Sequence, residues 1–167
     1  LSSLDETVIQ HGAEFNLGVH KYSGNNYNPN GHKYIRQFDC ETISRTIYRV
    51  GGVILSKEKM LVSFEPRILI KYTLLEAHSP TTIRFKPFLA FRSANELTHQ
   101  NNVANTSYNE VKNGISMGLY ECYPELFMQF SKKSTYYHLP DWYIGREYVK
   151  EQERGYECSE DLLVPGY

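Results

Sequence analysis

Acidic residues concentrate in one part of the chain, at Glu147, Glu151, Glu153, Glu157, Glu160 and Asp161. Cleavage of a glycosidic bond needs two carboxyls, one as acid and one as base or nucleophile. On that reading Glu160 or Asp161 belongs to a sugar-handling site. On the plainer reading the run is a solvated segment, salt-bridged to Arg146 and Arg154, and for catalysis the plainer reading is preferred.

Two further groups have sugar-compatible chemistry. Tyr136-Tyr137-His138 and Trp142-Tyr143, with Asp141 and Arg146, set rings that can stack on a pyranose beside groups that bind hydroxyls. Rings of this size are also ordinary core or interface residues. Arg92, His99, Asn101 and Asn102 lie at and beyond the end of a strong strand pattern, in a loop, where function tends to collect. Hydrogen bonds that merely shape the loop are the alternative there. The residues expected to face substrate or a neighbouring domain are Arg92, His99, Trp142, Tyr143, Glu160 and Asp161; none is expected to be catalytic.

Other chemistries lack their patterns. The six histidines are dispersed, without HxH or HExxH spacing, and the three cysteines (Cys40, Cys122 and Cys158) form no CxxC pair. Neither a metal site nor any cofactor is expected. An odd, sparse cysteine set favours a reducing, cytoplasmic compartment over a disulfide framework. No GxSxG and no phosphate-cradling glycine loop is present. Eighteen basic residues against nineteen acidic ones leave a net charge of −1, which gives no reason to expect nucleic acid or an anionic membrane as partner. No apolar run approaches a membrane span.

The elements that position these residues read as strands. Fourteen tyrosines and eight phenylalanines are a heavy aromatic load, suited to pleated, half-buried surfaces. Arg67–Glu76 and Thr82–Arg92 alternate most clearly, the first with Ile68, Ile70, Tyr72 and Leu74 on one face. The loop between them has hairpin length. Lys59–Glu65 is expected to bury Met60, Val62 and Phe64. Gly51-Gly52 could turn a hairpin, and Asn113-Gly114 is the strongest hairpin signal. With Thr7–Ile9, Glu14–His20, Tyr34–Cys40 and Leu126–Phe130 the total is roughly ten strands, a sandwich-like spacing. Ile144–Arg154 fits a short helix or an extended arm. Ser23–Lys33 and Asn95–Asn109 look irregular. The 167 residues suit one domain, all-β and mainly antiparallel, and both ends look like cuts in a longer protein.

Several blocks carry a resemblance. They are Leu1-Ser2-Ser3-Leu4-Asp5-Glu6-Thr7, Gly31-His32-Lys33-Tyr34-Ile35, Ile68 through Ala77, and Pro80 with Arg84 and Pro87 through Arg92. The tail adds Trp142-Tyr143, Glu147-Tyr148, Glu151, Glu153 through Tyr156, Glu160-Asp161-Leu162 and Pro165-Gly166. In this order they resemble the N-terminal domain of glycogen-debranching enzymes of the amylo-α-1,6-glucosidase type. The resemblance implies a large, galactose-mutarotase-like β-sandwich, placed before an (α/α)6 toroid that holds the hydrolytic acids and is not in this chain. It implies α-glucan and the parent's catalytic domain as partners. The family's domain begins with further strands before Leu1, so one sheet is expected to lack an edge partner and to invite self-association.

Overall fold

A computed structural model describes residues 1–167. Strand makes up 54% and helix 7% of the chain, in four antiparallel sheets, so the fold is all-β and of the sandwich class. The strands are β1 (Ser3–Gln10), β2 (Ala13–Asn16), β3 (Val19–Tyr22), β4 (Asn26–Asn30), β5 (Ile35–Cys40), β6 (Ser44–Val50) and β7 (Val53–Leu61). They continue with β8 (Ile68–Ala77), β9 (Thr82–Phe88), β10 (Asn109–Val111), β11 (Gly114–Met117), β12 (Leu126–Gln129), β13 (His138–Glu147) and β14 (Ser159–Gly166); the single α-helix α1 is Val149–Glu153, and 3-10 turns lie at Ser23–Asn25 and Gly31–Tyr34. The sheet orders are β2-β1-β9, β5-β6-β7-β8, β10-β11-β12 and β14-β13-β3-β4. No helix is long and apolar enough to cross a membrane.

The chain forms two compact units. One comprises Glu6–Val19 and Pro29–Arg84. Its core is Val8, Leu17, Tyr48, Val50, Val53 and Leu55, with Phe15, Tyr34, Tyr72, Ala77 and Ile83 packed against it. Alternation explains the set: Tyr48 and Val50 on β6, and Val53 and Leu55 on β7, project from one face of the sheet. Gly51-Gly52 closes that hairpin as expected, with Val50 opposite Val53 and Gly51 at φ +57, which glycine adopts without penalty. Glu6 is buried here and accepts from the Lys57 ammonium and the Tyr72 hydroxyl. Burial, reinforced by the Glu6 charge, raises the Tyr72 phenol far above its ordinary range.

The other unit comprises Leu1–Asp5, His20–Asn28 and Phe85–Tyr167. Its centre is the β13–β14 pair, with Trp142 opposite Leu163 and Tyr143 opposite Leu162. β14 is buried on both faces. Leu162 and Val164 meet Phe88 and Ala90, while Leu163 meets Leu89, Met117 and Leu119. A strand covered on both sides reads as a continuous apolar run, here Leu162-Leu163-Val164-Pro165, rather than an alternation. The bridge between Leu89 and Leu163 adds the segment after β9 to its free side.

Several expectations are corrected. β8 and β9 do not form a hairpin: β8 pairs with β7, and β9 joins the β2-β1-β9 sheet. Lys59–Glu65 is not a strand of its own. β7 runs on to Leu61, after which a turn closes through the Val62 N–H to the Arg67 carbonyl at 2.9 Å. Met60 and Phe64 are exposed and Val62 only partly buried, with Phe64 at φ +63 in the turn. Tyr72 does face the core, but Ile68 and Leu74 on the same strand are half exposed. Glu14–His20 is divided into β2 and β3 around Leu17-Gly18. Ile144–Arg154 is both strand and helix: Arg146 and Glu147 are held between Glu160 and Ser159 on one side and Tyr22 and Lys21 on the other, so helix begins only at Val149. The Asn-rich stretch after Ser23 contains β4, whose Pro29 is accommodated because β4 ends its sheet.

Candidate functional site

Glu160 lies at the centre of a buried polar knot in the second unit. Its side chain has no exposed surface, and β14 places it opposite Arg146 of β13. The carboxyl accepts from Arg92 Nε, from the Tyr148 hydroxyl and from the Thr98 N–H at 3.1 Å. Thr98 is itself fixed by its hydroxyl, which donates to the Ala90 carbonyl at 3.1 Å. Desolvation pulls the Arg92 guanidinium down, but Glu160 and Tyr148 outweigh it and the pKa is raised. Burial and the Glu160 hydrogen bond push the Tyr148 phenol up.

Asp161, the next residue of the strand, projects from the opposite face. One carboxyl oxygen accepts the Gln100 N–H at 3.0 Å and the other the Gly145 N–H at 2.8 Å. His99 is exposed, 3.8 Å from Asp161 through Nδ1 and 2.9 Å from Glu157 through Nε2. Glu160 pairs with Arg92 and Asp161 lies beside His99, but the two carboxyls do not share a cleft. Trp142 and Tyr143 fall on opposite faces of β13. Trp142 packs in the Leu89–Met117–Leu119–Leu163 cluster. Tyr143 stands edge-on to Phe88 with ring centroids 5.1 Å apart, and its hydroxyl accepts from Lys86 at 2.8 Å. Tyr136 donates to the Pro165 carbonyl at 2.8 Å and meets the Tyr108 ring edge-on; burial pushes its phenol up to about 12.

A second buried constellation escaped the sequence reading. His20 Nε2 lies 2.9 and 2.7 Å from the two oxygens of Asp5, both residues buried, and His20 Nδ1 contacts the Arg146 guanidinium. A guanidinium can only donate, so Nδ1 accepts and the ring proton sits on Nε2, facing Asp5. Arg146 also donates to the Ser3 hydroxyl at 2.8 Å and lies over the Phe88 ring. Residues this distant in sequence leave no spacing to detect. The group resembles a catalytic Asp–His pair in composition, but Arg146 occupies the nitrogen that would otherwise serve a substrate.

One open feature of this unit is a cleft of about 770 Å³. Met117-Gly118-Leu119 contribute to its lining. Asn105, Ser107 and Asn109 line it together with Tyr120, Tyr123 and Glu125. The Asn-rich loop is ordered by its own side chains. Asn101 accepts the Val103 and Ala104 N–H groups and donates to the Tyr120 hydroxyl at 2.8 Å, and Asn105 accepts the Ser107 N–H at 3.0 Å. The sequence flagged this loop through its Asn content but not the turn Tyr120–Glu125. No group of three or more His, Cys, Asp or Glu side chains is arranged to hold a metal.

Fold and site together define an all-β sandwich-class domain whose buried carboxyls are engaged within the chain. The chain belongs to the glycogen debranching enzyme N-terminal family, whose model matches residues 1–167, its full length. This bears out the resemblance carried by the ordered blocks from Leu1 to Gly166. No curated protein and no solved structure matches the chain.

Proposed function

We propose that this chain is the non-catalytic N-terminal part of an amylo-α-1,6-glucosidase, packing on the parent's catalytic domain and offering a surface for α-glucan. Membership of the debranching family along the whole chain carries this reading. Two features support a non-catalytic role. Glu160 is fully buried and engaged by three donors, and Asp161, facing the other way, is occupied by two backbone N–H groups. Hydrolysis of a glucosidic bond needs two carboxyls flanking one linkage.

The test uses the chain alone. Maltooligosaccharides or glycogen should bind saturably at millimolar ligand or below, and no reducing sugar should be released from branched glucan. Release of reducing sugar by this chain would overturn the non-catalytic assignment. A second reading, scaffold without sugar affinity, is favoured by the engagement of Arg92, Tyr143, Glu160 and Asp161 within the chain. Absence of saturable binding in a folded sample would select it.

A further inference from the structure

We propose that the cleft between the Asn105–Asn109 segment and the Tyr120–Glu125 turn is a subsite for a short, neutral α-glucan segment. The choice of α-glucan among neutral saccharides rests on the function proposed above; the site and its ligand chemistry rest on the cleft itself.

Its volume of about 770 Å³ falls within the range of small-molecule clefts, roughly 300–1,000 Å³. The lining combines apolar and aromatic residues with several polar groups, the mixture such sites carry. Glu125 is held in place, one carboxyl oxygen accepting from the buried Ser116 hydroxyl at 2.9 Å and from Asn109 Nδ2 at 3.2 Å. Its second oxygen has no partner in the chain and remains to accept a ligand hydroxyl. Asn105 uses its side-chain oxygen for the Ser107 N–H, which leaves its amide N–H groups to donate. Tyr123, half-buried and edge-on to Tyr120 with centroids 6.4 Å apart, presents a ring and an unpaired hydroxyl. A ring face, amide donors and a fixed carboxylate together match the C–H face and hydroxyls of a sugar.

Charge narrows the class. Glu121 and Glu125 line the cleft and no Lys, Arg or His does, so phosphorylated, sulfated and uronic sugars are repelled. The lining is open at Gly118, where an added Cβ would meet nothing nearer than Glu125 Cα at 4.0 Å.

The experiment is an amide-resolved NMR titration of the 167-residue chain with maltotetraose, and with cellotetraose as linkage control. Saturable shifts are expected at Asn105, Ser107, Gly118, Tyr123 and Glu125. Tyr123→Ala should weaken the affinity about fivefold, the size of one aromatic contact. Asn105→Ala, at an exposed side chain that leaves the core untouched, should weaken it measurably if Tyr123→Ala perturbs folding. Saturable maltotetraose binding that shifts other residues and ignores both variants would overturn the cleft while leaving the glucan-binding function standing. No saturable binding would overturn both. Equal affinity for cellotetraose would overturn the α-glucan assignment.

Discussion

Glu160 illustrates how far residue chemistry alone reaches. As a letter in an acidic tail it looked solvated; in the fold it has no exposed surface and three donors. The reason lies in the next residues, since Leu162-Leu163-Val164 carry the strand inward and Glu160 with it. Removing its counter-charge should therefore be costly: Arg92→Met strands a buried carboxyl and should lose about 3 kcal/mol in urea unfolding. The double variant Arg92→Met/Glu160→Leu should recover much of that loss, because it removes the stranded charge as well. Tyrosines supply a second prediction. Burial pushes Tyr136 up to about 12 and raises Tyr22, Tyr48, Tyr72 and Tyr148 as well. In each case the folded chain keeps a phenolic proton that the unfolded chain gives up near pH 10. Their contribution is thus complete below about pH 10; that of Tyr136 is lost as the pH rises through about 12, and those of the others as it rises through their own raised values. Phenolate absorbance should rise together with loss of the near-ultraviolet circular dichroism in that window, and Tyr136→Phe should shift the midpoint upward.

At the scale of elements, the most legible strands were those buried on one face or closed by a tight turn. β6 and β7 announced themselves by alternation and by Gly51-Gly52, and β10 and β11 by the turn at Asn113, which has φ +53. β13 and β14 were missed for opposite reasons. β14 is buried on both faces and does not alternate, while β13 ends in good helix formers that only its two neighbours hold extended. β8 and β9 show the limit of local signals, since a hairpin-length loop joins strands that belong to different sheets. The cleft was half legible: Asn content marked its loop, but nothing in the sequence indicated that Tyr120–Glu125 would face it. Two glycines of this region offer a paired test. A Cβ at Gly114 would lie 2.0 Å from the Met128 carbonyl oxygen across the β11–β12 pair, so Gly114→Ala should lower the melting temperature sharply, by more than about 2 kcal/mol in stability. Gly118→Ala meets open space and should stay within about 0.5 kcal/mol of the parent chain.

For the whole molecule, the decisive fact is that the unit holding the cleft is assembled from separated segments, Leu1–Asp5, His20–Asn28 and Phe85–Tyr167. A fragment starting at Phe85 therefore lacks Asp5 and His20, the partners that complete the Arg146 network, and the β3 residues that pair with β13. Prepared alone, it should show no cooperative thermal transition and little amide dispersion; a sharp melt would contradict the assignment. The same arrangement has a consequence for biosynthesis. β14 supplies Glu160 to the buried knot and Leu162, Leu163 and Val164 to both apolar clusters, yet it follows the thirteen other strands in chain order. At ribosomal speeds of about 5–20 residues per second, Arg92 is made seconds before its partner Glu160, 68 residues further on. During that interval the nascent segment is a natural client for holding chaperones. A premature stop codon before Ser159 would remove β14 and leave this unit without Glu160 and without both apolar clusters' central residues.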